Sequence, residues 1–222
     1  MEVKVLRHPY IQAVLTELRD KNTEQIEFRK SLVRLGRAFG FEIIKDFETE
    51  KVVVETPLGV QAEGVRIKDV DKVVIVTVLR AAWPMTEGLI KIFPNAKQGI
   101  ISAKRVEEKG MDKEMRFDVD VEYVRIPHIR NDEIVLIVDP MVATASTMET
   151  VLNVLMRYGK AKQYIIVSAI TTPIAIKRLE KISKELNINL KLYTASIDPE
   201  VNDKGYIVPG LGDAGDRAFG GA

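Results

Sequence analysis

"VDPMVATAST", residues 138–147, follows an apolar run at 134–138 and leads into "TMETVLNVLMRYG", an amphipathic stretch closed by Gly159. The apolar run predicts a fully buried strand, and the stretch after it predicts a helix over 146–158. A strand that turns into a helix through small and hydroxylated residues suits two purposes. It can hold a phosphate on the free N–H groups of the helix start, or it can be an ordinary connection with a good cap. Spacing alone leaves both readings open. The loop is not a Walker-type phosphate loop, because no Gly-Lys-Ser/Thr ending follows.

Working outward, the same alternation of apolar runs and helical patterns recurs. "KVVIVTVL" (72–79), "QYIIVSAI" (163–170) and "KLYTASI" (191–197) read as strands, and "PIAIKRLEKISKEL" (173–186) reads as a helix. The segment "RAAWPMTEGLIKIFP" (80–94) reads as a loop and helix. Near-continuous apolar strands separated by helices predict an α/β fold with a mainly parallel sheet covered on both faces. Ligands bind such sheets beyond the carboxyl ends of the strands, which places the loops starting at Leu79, Asp139, Ile170 and Ile197 on one edge. Residues 9–21 and 23–40 read as two helices, with Asn22 as N-cap between them and Gly40 as the closing residue. Residues 51–67 read as a hairpin with Pro57 and Gly59 in its turn. The charged stretch 101–127, centred on Gly110, reads as a projecting β-arm or mobile loop. No linker or repeat divides the 222 residues, so one domain spanning 1–222 is expected.

Composition removes whole classes of chemistry. Cysteine is absent and only two histidines occur, His8 and His128, so thiolate sites, cysteine nucleophiles and histidine-based metal sites are poorly supplied. Lys+Arg 33 against Asp+Glu 32 leaves a net charge of +1, which predicts no general affinity for nucleic acid. No apolar run approaches the ~18 residues of a membrane span, and a cytoplasmic protein is expected. The remaining chemistry must use carboxylates, arginines, backbone amides or a metal brought in by the substrate.

In 138–147, Ala143 and Ala145 let a phosphate approach the backbone, and Thr144, Ser146 and Thr147 add hydroxyls. Asp139 is suited to sugar hydroxyls. An acid for a ribose beside a site for its phosphate suggests ribose 5-phosphate. Near the C-terminus, "GYIVPGLGDAGDRAFG" (205–220) holds five of the fourteen glycines, a loop that exposes backbone donors and acceptors.

These stretches resemble a known family. "VDPMVATAST" is similar to the 5-phosphoribosyl diphosphate (PRPP) motif of type I phosphoribosyltransferases, in the Asp-Pro form of the uracil phosphoribosyltransferases. "VLRAAWPM" (78–85), "ISAKRVE" (101–107), "FRKSLVRLGR" (28–37), "VVVETPLGV" (52–60) and above all the C-terminal motif fit the same family. Many members carry Gly-Gly where this chain has Ala145 and Ser146, which resembles the archaeal branch.

The resemblance implies a type I phosphoribosyltransferase fold with a small hood built from the N- and C-terminal segments. It implies transfer of ribose 5-phosphate from PRPP to N1 of uracil, giving UMP and diphosphate, with Mg²⁺ bound with PRPP rather than in a protein site. It places PRPP on Arg80, Arg105, Asp139, Pro140, Met141, Val142, Ala143, Thr144, Ala145, Ser146, Thr147 and Asp213. Catalysis falls to Arg105 and Asp213, and uracil is read by Ile207, Gly212, Asp213 and Ala214. Lys30, Ser31, Leu32, Val33 and Arg34 match a GTP effector segment, with CTP as inhibitor, and a homo-oligomer, dimer or tetramer, is implied. A regulator that keeps the fold and binds RNA in response to uridine nucleotides is the alternative, which the near-neutral charge and the intact C-terminal motif disfavour. A purine enzyme fits neither the Asp-Pro form nor that motif. Arg105 sits among charges with few apolar anchors, so the arm is expected to be disordered until PRPP arrives.

Overall fold

The computed structural model describes residues 1–221, with the side chain of Glu107 outside that description. An eight-stranded sheet runs through the centre. Its parallel strands are β1 (Glu2–Val5), β4 (Val73–Leu79), β5 (Lys97–Arg105), β7 (Ile134–Val138), the short β8 (Met141–Val142), β9 (Gln163–Thr171) and β10 (Leu190–Ile197). The order is β1-β10-β9-β7-β4-β5, with β8 beside β9 and β6 (Val119–Arg125) added antiparallel at the β5 edge. Two small antiparallel hairpins stand apart: β2 (Thr49–Glu55) with β3 (Gln61–Ile67), and β11 (Glu200–Val201) with β12 (Ile207–Val208).

Continuous apolar strands are explained by cover on both faces. Side chains alternate along each strand, so Val73, Ile75, Leu136 and Val138 enter one core while Val74, Val76, Val135 and Ile137 enter the other. The first core is closed by α1 (Pro9–Arg19), α2 (Gln25–Ile44), α3 (Trp83–Ile90) and α6 (Ala214–Phe219). The second is closed by α4 (Ser146–Leu155) and α5 (Pro173–Glu185).

Several sequence expectations need correction. Asn22 does not cap α2, whose N-cap is Glu24 without a side-chain bond; Asn22 instead joins a turn built on the Asp20 carboxylate. Gly40 does not end α2. It lies buried inside the helix because α2 and α3 cross closely: a Cβ on Gly36 would lie 2.0 Å from the Met85 carbonyl oxygen, and one on Gly88 2.0 Å from that of Val33. Gly40 itself faces Ile92 at the same crossing. The stretch 101–127 is not wholly an arm, since β5 pairs with β4 as a full sheet strand from Lys97 to Ser102. Only beyond the register shift at Ser102 and Ala103 does it pair with β6 alone, leaving 106–118 as the true projection. Its charges hid a strand that is buried only at Gly99 and Ile101. The edge strand β1, only four residues long, has no strong sequence signature.

Candidate active site

The chain moves from β4 outward through β5 and β6, then returns to lay β7 on the other side of β4. The loops after β4 and β7 therefore diverge at a reversal of strand order, the position where open α/β sheets form crevices. A cavity of about 640 Å³ opens there, within the ~300–1,000 Å³ typical of small-ligand sites. Its walls come from four segments, 78–81 at the end of β4, 102–105 at the end of β5, 139–148 and 205–216, together with Glu122 of β6.

Asp139 sits half-buried at the end of β7, with Oδ1 accepting the Met141 N–H at 3.2 Å. Burial pushes its carboxyl up to about 6, against the lowering effect of that bond and of the Arg105 charge. The chain then pairs briefly with β9 as β8 and turns at Ala145, whose φ of 61° is left-handed, to start α4 with no side-chain cap. The first N–H groups of a helix have no intrahelical partner, and here residues 144–148 line the cavity. The hydroxyls are less free than the sequence suggests. Thr144 and Ser146 are buried and bonded to each other at 2.9 Å, and Ser146 Oγ also accepts the Phe117 N–H at 3.1 Å. Thr147, half-buried on the wall, is the hydroxyl best placed for an anion.

Arg80 follows β4, at a cis peptide bond with Leu79, and its exposed guanidinium lies 3.3 Å from the Asp216 carboxylate. Arg105 ends β5 and is held in place. Its Nη1 donates to the Gly205 carbonyl at 3.0 Å, and its guanidinium stacks 4.8 Å from the Phe117 ring and 6.0 Å from that of Tyr206. The arm has an apolar anchor that its charges conceal: Phe117 is buried, and its N–H donates to Ser146 at the start of α4.

The C-terminal segment supplies a further wall. Asp213 caps α6 by accepting the Asp216 N–H, and its other oxygen is 3.5 Å from the Tyr206 hydroxyl. The loop is fastened to the N-terminal helices. Asp198, buried, takes both ends of the Arg19 fork at 2.7 Å and the Gly210 N–H at 2.9 Å. Arg217 donates to the carbonyls of Leu18, Asp20 and Leu211 while lying over the Phe28 ring.

A crevice at the switch point, two arginines and a glycine-rich closing loop can be set beside known proteins. The family model for uracil phosphoribosyltransferase matches residues 5–221. The chain belongs to the uracil phosphoribosyltransferase family. A curated uracil phosphoribosyltransferase from Pyrobaculum islandicum is 48% identical over 99% of both chains. One from Pyrococcus furiosus is 50% identical over 96% of this chain and 87% of its own. A solved protein structure from Aquifex aeolicus superposes with a TM-score of 0.84 at 33% identity, covering 98% of each chain. The fold is accordingly the type I phosphoribosyltransferase fold.

Within this chain the cavity gathers Arg80, Arg105, Asp139, residues 141–147, Ile207 and Asp213. Pro140 is buried and outside the lining, Ala214 is buried in the core, and Gly212 is exposed outside the lining. The 30–34 segment lies elsewhere on α2. Leu32 is fully buried, and Ser31, also buried, bonds to Glu17, which pairs with Arg34. Lys30 is exposed beside Glu27. Sequence reasoning passed over Lys104, Tyr206 and Asp216, all of which line the cavity. Each lies inside a quoted motif, but only folding shows which members of a motif turn inward. Among the described residues no three His, Cys, Asp or Glu side chains gather to hold a metal. The Asp139 and Asp213 carboxyls in the lining suit an ion held chiefly by substrate oxygens.

Proposed function

We infer that this cavity carries out the family's reaction, in which ribose 5-phosphate passes from PRPP to N1 of uracil, with UMP and diphosphate as products. The observation that carries the reading is the convergence of the four segments on one cavity. The 5-phosphate sits on the N-terminal turn of α4, met by backbone N–H groups and Thr147. Asp139 accepts hydrogen bonds from the ribose hydroxyls. Arg80 and Arg105, from the ends of the neighbouring strands β4 and β5, bind the diphosphate, because forked guanidinium groups match phosphate oxygens. Uracil lies against Ile207 and Asp213, where backbone groups of the loop read its donors and acceptors. Asp139 and Asp213 would help to hold a Mg²⁺ brought in with PRPP, which would supply neutralisation of charge on the diphosphate.

The transition state resembles an oxocarbenium ion, so charge develops on the departing diphosphate and the two arginines act there. Arg105 is aimed by its Phe117 and Tyr206 contacts. An effector site for GTP on α2 would use Lys30 and Arg34, since Leu32 is in the core. The exposed valines of the β2 and β3 hairpin suit a homo-oligomer contact. The enzyme family of the relatives and the near-neutral charge weigh against the RNA-binding alternative.

The test is a Mg²⁺ and PRPP assay against uracil, cytosine, hypoxanthine and adenine, with and without GTP or CTP. Uracil alone is expected to yield nucleotide at a useful rate. Comparable turnover of either purine would overturn the reading.

A further inference from the structure

Arg178 belongs to no motif of the active site, yet its side chain joins two of the site's walls. It projects from α5, and its Nη1 donates to the Thr144 carbonyl, lies 3.3 Å from Ser146 Oγ and reaches the Met115 carbonyl at 3.4 Å. Its Nη2 donates to the Glu114 carbonyl at 2.7 Å. Thr144 and Ser146 are in the phosphate loop, and Glu114 and Met115 are in the arm. A planar guanidinium can bridge two backbone segments in this way because its donors diverge in fixed directions.

The arm transmits that anchorage. Its tip is wound on the Asp112 carboxylate, which accepts the N–H groups of Glu114 and Arg116, both at 2.8 Å. Phe117 comes next. Its N–H donates to Ser146 Oγ, its ring carries the Arg105 guanidinium, and it packs so closely on Gly205 that a Cβ there would lie 2.4 Å from the ring. A continuous series of contacts therefore runs from Arg178 through the arm tip to Arg105 and the C-terminal loop.

We propose that Arg178 is a positioning residue for the transfer reaction, latching the arm to the phosphate loop so that Arg105 is held at the diphosphate position. The inference rests on the roles given above to the phosphate loop and Arg105. It assigns Arg178 no contact with substrate. Its loss acts through two groups: the Thr144 carbonyl, which would lose a charged donor, and Phe117, which would lose the anchored turn beside it.

The experiment uses Arg178→Ala and Arg178→Lys, with hydrogen exchange of amides 112–118 measured without substrate, steady-state kinetics, and thermal unfolding. In Arg178→Ala the arm amides should exchange about tenfold faster or more, as expected when an anchored segment opens locally. The same variant should lose about tenfold in kcat while KM for uracil stays within about twofold, the split expected when a transition-state contact is misplaced. Arg178→Lys keeps a charge that can reach the Thr144 carbonyl but cannot fork to the arm, so it should fall between. That variant carries the test if the alanine variant does not fold. Wild-type exchange at 112–118 in a folded Arg178→Ala protein, or unchanged kcat, would overturn the proposal. Failure of the wild-type protein to form UMP would instead strike the functional reading, and the exchange data would still decide whether the latch exists.

Discussion

At neutral pH the Asp139 carboxyl is ionised among protein atoms that disfavour the charge, since burial pushes its pKa up to about 6 from 3.8. A folded pKa above the unfolded one means that the fold binds the extra proton. Stability should therefore fall as pH rises from about 3.8 to about 6 and remain at the lower level above that. Asp139→Asn keeps an acceptor for the Met141 N–H and removes the charge. It should raise stability at pH 7 by roughly 1–3 kcal/mol, with the gain vanishing near pH 4 in urea titrations across that range. The same variant should bind PRPP more weakly, because a charged hydrogen bond to a ribose hydroxyl is worth about 1.5–3 kcal/mol. If both stability and PRPP affinity were unchanged, Asp139 would be only a turn-forming residue. Arg105 and Arg80 can be separated by single-turnover kinetics. Arg105→Ala should slow the chemical step by about two orders of magnitude with uracil affinity intact, as for a donor aimed at developing charge. Arg80→Ala, on an exposed and less constrained side chain, should act more on PRPP affinity. A normal single-turnover rate in Arg105→Ala would remove Arg105 from the chemistry.

At the scale of elements, the crossing of α2 and α3 is set by absent side chains. A methyl at Gly36 would lie 2.0 Å from a backbone carbonyl oxygen, so the helices must part for it to fit. Gly36→Ala should destabilise by about 2–4 kcal/mol. Gly59, in the turn between β2 and β3, gives the contrast: its Cβ would meet open space, and only its φ of +74° resists substitution. Gly59→Ala should cost about 1 kcal/mol. Thermal melts of both variants test the point, and equal losses would mean that the helix crossing is looser than its geometry implies. The arm works by the opposite means. Arg105 reaches its position because Phe117 supplies bulk under the guanidinium and a backbone donor to Ser146.

At the scale of the whole molecule, Asp46 ties the end of α2 to the far edge of the sheet. It accepts from Lys4 of β1 and from Lys191 and Tyr193 of β10. Burial would raise its pKa, but the bonds from Lys4, Tyr193 and Lys191 outweigh it and bring the value down to about 2. A depressed carboxyl contributes stability above its unfolded pKa of 3.8 and loses it as pH falls toward 2. Asp46→Asn should lose roughly 2 kcal/mol at pH 7, a difference that closes between pH 4 and 2. Parallel acid-unfolding curves with a constant offset would show that the contribution is steric and not ionic.

The sequence by itself determined the parallel sheet, because unbroken apolar strands are soluble only when both faces are covered, and it determined the helix after Asp139. Its motifs also marked the stretches that line the cavity, because small residues and glycines, which let a ligand approach the backbone, are a local requirement. What the tertiary structure decided depends on contacts distant in sequence. The pairing of β5 with β4 was hidden because an edge-proximal strand keeps its charges at its exposed end. Gly40 reads as a helix stop and serves as a contact point, a distinction made only by what lies opposite it. Arg105 reads as part of a mobile charged arm until Phe117 folds beneath it. Arg178 carries no sequence signal at all, because its partners are backbone carbonyls, which every residue possesses and only the fold can place.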